Sequence, residues 1–282
     1  MGYESIDVRP LAGALGAEVF GVDLRQAGNR AWDEIHRAFI DHKVLAFRDQ
    51  DMGPEDLMAA GRRFGEPSYY PFVEGIEGYP FIFEIVKEPH EKKNFGGTWH
   101  SDTTYLPKPP LATILLNLEA PTHGGDTLFA NQQLAYEGLS EGMQALLGRL
   151  VAVNSAGLRT YGGRANRHDD VGSMKLQNTD KADATEAKHP AVRTHPVTGR
   201  KALYVNRAHT IRFDGLTEAE SKPLIEFLTE HATKPEYTCR VRWRPGTFTV
   251  WDNRCTQHFA INDYSGQRRR MLRLTVGPQV PA

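Results

Sequence analysis

Cysteine is scarce in this chain, with only Cys239 and Cys255 among 282 residues. Neither belongs to a Cys-x-x-Cys pair, which argues against a zinc knuckle. So few cysteines without a secretory signal are typical of a reducing cytoplasm. We therefore expect both thiols to be free and the protein to be cytoplasmic.

Long apolar runs and an excess of charge are also missing. No apolar run approaches the roughly 20 residues that span a bilayer, and the first residues lack the basic start and apolar core of a secretory signal. The net charge of −1 gives no indication of a nucleic acid or an anionic membrane surface as partner. We expect neither nucleic acid nor membrane to be a partner.

Short strand-like runs, interleaved with a few helices, dominate what is present. The strands are predicted at 44–47, 81–86, 111–118, 191–195, 201–206, 237–243, 247–251 and 270–276, and short strands at 3–24. Helices are predicted at 31–42, 54–64, 133–150 and 217–231, the last of them beginning with a capping box at Thr217 and Glu220. The strands 191–195 and 201–206 are predicted to form a hairpin. This pattern predicts a mainly β fold: one domain over residues 1–282, with a jelly-roll core of two sheets and helices flanking it.

Residues 157–190 are polar and contain few apolar side chains. A loop of this length is usually functional or disordered. We interpret it as a mobile active-site loop that could close over the site.

A candidate metal site is centred on the segment Trp99–Asp102, which precedes the strand-favouring residues 103–105. In an extended segment His100 and Asp102 share one face. They would supply two thirds of the 2-His-1-carboxylate site that holds non-haem Fe(II). His258 is the candidate for the third ligand, because it follows a polar turn at the end of the apolar strand 247–251. Spacing alone is modest evidence, because His-x-Asp is a common pattern.

The other histidines give weaker signals. We interpret most of them as structural or solvated, whereas His189, His195 and His209 remain open.

A basic strand follows His258, from Gln267 to Arg273. If it is extended, Arg269 and Arg273 share a face with Met271, and Arg268 and Arg270 face the other way. Two inward arginines are costly unless anions meet them, and guanidinium binds carboxylates bidentately. We therefore expect an inward face that binds two anionic groups; the alternative is a solvated basic face.

Together these motifs resemble the taurine dioxygenase family, which includes 2,4-dichlorophenoxyacetate dioxygenase and alkylsulfatase-type relatives. The resemblance covers nearly the whole chain, and no single motif carries it. The motifs are Trp99–Asp102, Gly124–Thr127, Val192–Pro196, Trp251–Arg254 with His258, and Gln267–Arg269 with Arg273.

The resemblance implies a double-stranded β-helix (jelly-roll) fold and a dioxygenase that uses Fe(II), 2-oxoglutarate and O2. It implies that the iron ligands are His100, Asp102 and His258. Thr127 and Arg269 match the residues that bind the far carboxylate of 2-oxoglutarate, and Arg273 matches the arginine that receives an anionic substrate group. His195 matches a core or supporting residue. A homodimer or homotetramer is also implied.

In such an enzyme 2-oxoglutarate is converted to succinate and CO2 while a substrate C–H is hydroxylated, with C–O or C–S cleavage where a leaving group sits on that carbon. Residues that would indicate taurine are absent, whereas Tyr69, Tyr70 and Phe72 suggest a larger, partly apolar pocket. We expect a small anionic substrate of the aryloxyalkanoate, alkyl sulfate or sulfonate type, with Tyr70 among its contacts. Alternatively, the aromatics only pack the core.

Two other functions remain open at this stage. One is a non-oxidative metal-dependent hydrolase or isomerase on the same fold, which would not need Thr127 and Arg269. The other is a non-catalytic metal-binding or sensor protein.

Overall fold

The computed structural model describes residues 2–157 and 172–282. The strands of these ranges are β1 (Asp7–Pro10), β2 (Ala17–Phe20), β3 (Val44–Phe47), β4 (Pro67–Ser68), β5 (Ile82–Lys87), β6 (Pro110–Glu119), β7 (Thr127–Asn131), β8 (Val151–Ser155), β9 (Glu186–Pro190), β10 (Val192–Thr194), β11 (Lys201–Leu203), β12 (Thr210–Phe213), β13 (Thr238–Val241), β14 (Phe248–Asp252), β15 (Thr256–Ala260) and β16 (Arg269–Pro278). The α-helices are α1 (Asn29–His42), α2 (Pro54–Arg62), α3 (Gln132–Glu137), α4 (Glu141–Leu147) and α5 (Glu218–Ala232). Short 3-10 helices occupy Thr179–Ala184 and Pro235–Tyr237.

A large sheet carries the fold, in the order β1-β2-β3-β14-β6-β16-β4, with β5 also pairing with β16. A smaller sheet, β13-β7-β15, packs on its inner face through one apolar cluster that includes Phe129, Trp251 and Met271. Helices α1 and α2 cover the outer face, where Trp32 and Leu57 belong to a second cluster. This arrangement of two packed sheets with flanking helices confirms the predicted jelly-roll class.

Strands β14 and β16 place apolar side chains on both faces of the large sheet. In β14, Val250 contributes to the outer cluster beneath the helices, whereas Trp251 contributes to the inner cluster. In β16, Leu272 faces outward and Met271 inward in the same way. Both faces of the large sheet are covered, so its strands carry apolar residues on both faces.

The predicted helix 133–150 is wrong in its extent. The chain forms α3 and α4 instead, and Gly138 ends the first of them. A Cβ atom on Gly138 would lie 2.1 Å from the Tyr237 hydroxyl, so only glycine allows this close approach. Ser140 then caps α4 by accepting a hydrogen bond from the amide of Met143.

Two further predictions need correction near the site. Residues 103–105 form a turn rather than a strand, and Thr103 has a φ of +46°, which is a strained conformation for a β-branched residue. The predicted loop 157–190 contains strand β9, which pairs with β8. Residues 158–171 of that loop lie outside the described residues, and its closure stays a prediction.

The other predicted helices and strands lie at or near their predicted positions, whereas β4, β7, β8, β12 and β15 were not predicted. Helix α5 begins with the predicted capping box, in which the Thr217 side chain accepts from the Glu220 amide. Strands β10 and β11 form the predicted hairpin. Cys239 and Cys255 are free and buried, as expected. The described helices are too short or too polar to cross a membrane.

Candidate active site

His100 and His258 are joined through their backbones. The amide of His100 donates to the carbonyl of His258 at 3.1 Å, and the amide of His258 donates back to the carbonyl of His100 at 2.8 Å. His258 lies in the middle of β15, after the polar turn that follows β14, as predicted. A regular strand fixes the direction of a side chain more firmly than a loop does, so this imidazole is held from a rigid element.

Asp102 completes a buried cluster with the two histidines. Its Oδ1 atom lies 3.7 Å from Nε2 of His100 and 3.9 Å from Nε2 of His258. One donor atom from each of the three residues lies within 4.8 Å of the others, and all three side chains are buried. The structure therefore brings together the residues that the sequence nominates as a metal site.

The tautomer of His100 is set by the backbone. Its Nδ1 lies 2.6 Å from the carbonyl oxygen of Thr98, and a carbonyl can only accept, so Nδ1 carries the proton. The lone pair of Nε2 then faces Asp102, as a metal ligand requires. Burial, followed by the neighbouring His100, holds the pKa of His258 well below its usual range, so the His258 ring is neutral at neutral pH.

Asp102 has a supporting chain of hydrogen bonds that the sequence analysis missed. The Thr113 hydroxyl donates to Oδ2 of Asp102 at 2.7 Å, and the Asn253 side-chain amide donates to Thr113 at 2.7 Å. The indole of Trp251 donates to Asn253 at 3.0 Å. Every donor in this chain points toward the carboxylate. A usable signal was Thr113 itself, a polar residue inside the apolar run 111–118.

Arg273 is the nearest cation to this cluster. Its guanidinium forms an ion pair with Oδ1 of Asp102. Burial alone would raise the pKa of Asp102, but Arg273, with both imidazoles and the Thr113 hydroxyl, outweighs burial and holds that pKa below its usual range. Asp102 is therefore an anion at neutral pH and suits a cationic ligand.

The predicted alternation of arginines along β16 is confirmed. Arg269 and Arg273 are 4 % and 2 % exposed and share the inner face with Met271, whereas Arg268 and Arg270 form surface ion pairs. The Nε atoms of both inner arginines are buried without a hydrogen-bond partner in the described ranges. A buried guanidinium group with an unsatisfied Nε is costly, so this face is prepared for anions.

Thr127 is buried at the start of β7. Its hydroxyl oxygen accepts a hydrogen bond of 2.9 Å from the indole of Trp243. Because that bond occupies an oxygen lone pair, the hydroxyl proton is left to donate. Trp243 is a second supporting residue that the sequence analysis did not nominate.

The aromatic residues near Arg273 divide into two groups. The guanidinium carbon of Arg273 lies 5.5 Å from the ring centre of Tyr70 and 5.6 Å from that of Phe83. Phe72 is buried in the same cluster. Tyr69 is 63 % exposed and packs on Phe81 instead. The interpretation of Tyr69 as a pocket residue is wrong, because adjacent residues of an extended segment point to opposite faces.

The three open histidines lie outside the cluster. His195 hydrogen-bonds Oδ2 of Asp252 at 3.0 Å, in agreement with a supporting role. The ring of His209 lies 5.8 Å from that of His100, and its Nδ1 is 3.1 Å from the Thr104 hydroxyl. His189 contacts the carbonyl of Leu106. None of these three shares the candidate ligand set around Asp102 within the described residues.

Comparison with known proteins gives a consistent result. The family described as "Taurine catabolism dioxygenase TauD, TfdA family" matches residues 7–275. The alpha-ketoglutarate-dependent sulfate ester dioxygenase of Pseudomonas putida is 36 % identical over 98 % of this chain and 91 % of its own length. The alkylsulfatase of Acinetobacter baylyi is 35 % identical over 98 % of this chain and 86 % of its own length.

A solved structure agrees with the sequence relatives. The crystal structure of a taurine dioxygenase from Burkholderia xenovorans superposes with a TM-score of 0.83 at 33 % identity, covering 99 % of this chain and 91 % of that one. These relatives give no support to the hydrolase or isomerase alternative. The chain belongs to the TauD/TfdA family and is a dioxygenase that depends on Fe(II), 2-oxoglutarate and O2.

Proposed function

We propose that His100, Asp102 and His258 hold Fe(II) in this enzyme. The observation that carries this proposal is the convergence of their donor atoms, from two distant stretches of chain, within 4.8 Å in a buried site. Two imidazoles and one carboxylate form the donor set that suits non-haem Fe(II) and leaves positions open. When bound, Fe(II) supplies the oxygen chemistry that couples decarboxylation of 2-oxoglutarate to hydroxylation of a substrate C–H.

Arg269 and Thr127 bind the far carboxylate of 2-oxoglutarate in this proposal. Arg269 offers a buried guanidinium whose Nε has no partner in the described part of the chain. Thr127 offers a hydroxyl proton, because its oxygen already accepts from Trp243. A charge-assisted pair and a neutral donor fix both the position and the orientation of a carboxylate.

Arg273 receives the anionic group of the substrate, and Tyr70 lies beside it. The rings of Tyr70 and Phe83 lie within 5.6 Å of the Arg273 guanidinium carbon, so the cation has apolar walls. Such a site suits an anion with an apolar body. Because two similar relatives are named for alkyl sulfates and sulfate esters, an alkyl sulfate is the leading candidate, with aryloxyalkanoates and sulfonates next.

The residues of the chain then act by positioning. Arg273 holds the anionic end so that one C–H of the substrate faces the metal side of the pocket. The Thr113 hydroxyl donates to the Asp102 carboxylate and keeps it in one orientation. The buried aromatic residues exclude water from the pocket, which strengthens each ionic contact.

An anaerobic titration with Fe(II) and 2-oxoglutarate tests the metal and co-substrate assignments together. A weak visible charge-transfer band should form, and His100→Ala or Asp102→Ala should abolish it. Arg269→Gln should keep the band but raise the 2-oxoglutarate concentration needed to reach it by about tenfold or more.

Arg270→Gln is the matched control, because Arg270 lies on the same strand and pairs with Glu84 at the surface. It should leave the titration unchanged. An Arg269 variant with unaltered 2-oxoglutarate affinity would refute the assignment. For the substrate, a panel of acids and uncharged analogues should release succinate only with the acids, and turnover with neutral or cationic compounds alone would exclude an anion site.

The remaining expectations complete this proposal. We infer a single catalytic domain over residues 1–282, supported by a family match that covers 7–275. Two free, buried cysteines support a cytoplasmic location. A homodimer or homotetramer follows from the family resemblance, and sedimentation in solution would test it.

A further inference from the structure

Lys87 lies directly opposite Arg269 in the large sheet. The last residue of β5 is paired with the first residue of β16, and the same register pairs Ile85 with Met271. Residues that face each other across an antiparallel pair point to the same side of the sheet. Lys87 therefore shares the inner face that carries the two buried arginines.

The ammonium group of Lys87 is buried and unpaired. The residue is 3 % exposed, and Nζ has no hydrogen-bond partner among the described residues. Lysine is almost never fully buried unless it has a partner, so this burial requires an explanation. The Tyr264 ring packs against this group, with its centre 4.5 Å from Nζ.

Lys87 and Arg269 line one small cavity of about 10 Å³, together with Tyr264 and Asn94. The guanidinium carbon of Arg269 lies 5.7 Å from the centre of the Tyr264 ring, so one aromatic ring contacts both cations. Cation–π contact offsets only part of the cost of removing a cation from water. Burial, and then Arg269, lower the pKa of Lys87 against the opposing pull of Glu91. Two buried cations that share one cavity create a local demand for negative charge.

We propose that Lys87 is a second cationic residue for the far carboxylate of 2-oxoglutarate. The inference rests on the proposed role of Arg269, because it gives that arginine a partner in the same task. The four-carbon stem of lysine is flexible, so Nζ can turn from the Tyr264 ring toward a carboxylate bound to Arg269. A charge-assisted contact then replaces an unpaired buried charge.

Lys87 thereby acts on the choice of co-substrate. A 2-oxo acid with a second carboxylate gains the contact, whereas pyruvate has no group for Lys87 to reach. A site whose charged groups stay unpaired rejects the shorter analogue more strongly than an apolar site would. The two-cation site favours dicarboxylic 2-oxo acids beyond what one arginine achieves.

Calorimetric titration of the Mn(II)-loaded enzyme tests this without turnover. Lys87→Met should weaken 2-oxoglutarate binding by about ten- to a hundredfold and leave the weaker binding of pyruvate unchanged. Lys87→Arg should restore most of the 2-oxoglutarate affinity. Lys222→Met, an exposed lysine on α5, is the matched control and should change neither titration.

Two results would overturn the inference. One is an unchanged 2-oxoglutarate affinity in Lys87→Met, and the other is an equal loss for 2-oxoglutarate and pyruvate, which a purely structural lysine would cause. Lys87→Gln replaces the methionine variant if that one does not fold. Arg269→Gln in the same titration separates the two proposals: if it binds 2-oxoglutarate normally the role of Arg269 fails, whereas a normal Lys87 variant alone refutes only the role of Lys87.

Discussion

Two buried aspartates, Asp102 and Asp252, have nearly the same kinds of neighbours but differ in how fully their carboxylate oxygens are hydrogen-bonded. Each lies against a histidine and an arginine, and each belongs to a cluster with the composition of a metal site. Both oxygens of Asp252 are occupied: Arg254 donates to Oδ1 at 2.8 Å and to Oδ2 at 2.6 Å, and His195 contacts Oδ2 at 3.0 Å. In Asp102, Oδ2 accepts a hydrogen bond from Thr113, whereas Oδ1 faces both imidazoles and the Arg273 guanidinium.

The difference separates a structural ion pair from a binding site. The carboxylate of Asp252 has no coordination position left for a metal ion. Its neighbour Cys255 is also unsuited, because burial, and then Asp252, raise the pKa of that thiol well above its usual range; a metal needs the thiolate. The residue types alone would therefore indicate two metal sites. The hydrogen bonds that already occupy the carboxylate of Asp252 leave the site at Asp102 as the candidate.

The largest effect on stability is expected at Asp252. Asp252→Asn removes one partner of a buried ion pair and leaves the Arg254 guanidinium uncompensated, which costs about 3–5 kcal/mol. Urea unfolding followed by circular dichroism measures the loss. The folded fraction should still bind Mn(II), and loss of Mn(II) binding in folded Asp252→Asn would break the distinction between the two aspartates.

The same pair has a defined pH dependence. Burial opposes ionisation of Asp252, but Arg254 and then His195 lower its pKa to about 2, against about 3.9 in an unfolded chain. A depressed pKa stabilises the fold above the unfolded value, and that contribution is lost as the pH falls. The stability difference between the wild type and Asp252→Asn should be constant above about pH 5 and shrink by about 2 kcal/mol toward pH 2.

Urea titrations at successive pH values would measure that difference. A stability difference that stays constant between pH 5 and pH 2 would mean that the negative charge of Asp252 does not stabilise the fold.

A smaller effect is expected at Thr113, which orients Asp102. Thr113→Val removes the donor to Oδ2 of Asp102 and should weaken metal binding by about ten- to a hundredfold, measured by Mn(II) titration. Thr249→Val is the matched control, because Thr249 is a buried threonine of the same sheet whose hydroxyl has no hydrogen-bond partner within the described ranges. Equal behaviour of the two variants would show that Thr113 contributes only to packing.

Local sequence patterns predicted the parts of the fold that depend on local physics. The helix at α5 follows from the capping box at Thr217, and the inward direction of Arg269 and Arg273 follows from the period of two in a strand. The close approach of Gly138, at the end of α3, to Tyr237 did not follow, because the two residues are distant in sequence.

The candidate site shows the same limit. His100 and Asp102 were found from a short motif, whereas Thr113, Asn253 and Trp243 were missed because their roles arise from strand pairing. The strand at β15 was missed as well, because its five residues include polar side chains that face a buried site rather than solvent. A polar residue in an otherwise apolar strand is the signal that would have found Thr113.

The mutual backbone hydrogen bonds between His100 and His258 have a consequence for metal uptake. These bonds bring the two imidazoles together during folding, although a long loop separates them in sequence. The entropy cost of closing that loop is therefore part of folding and not of metal binding. Removal and return of the metal should therefore leave the fold intact and be fully reversible, in contrast with small zinc domains that unfold when they lose their ion.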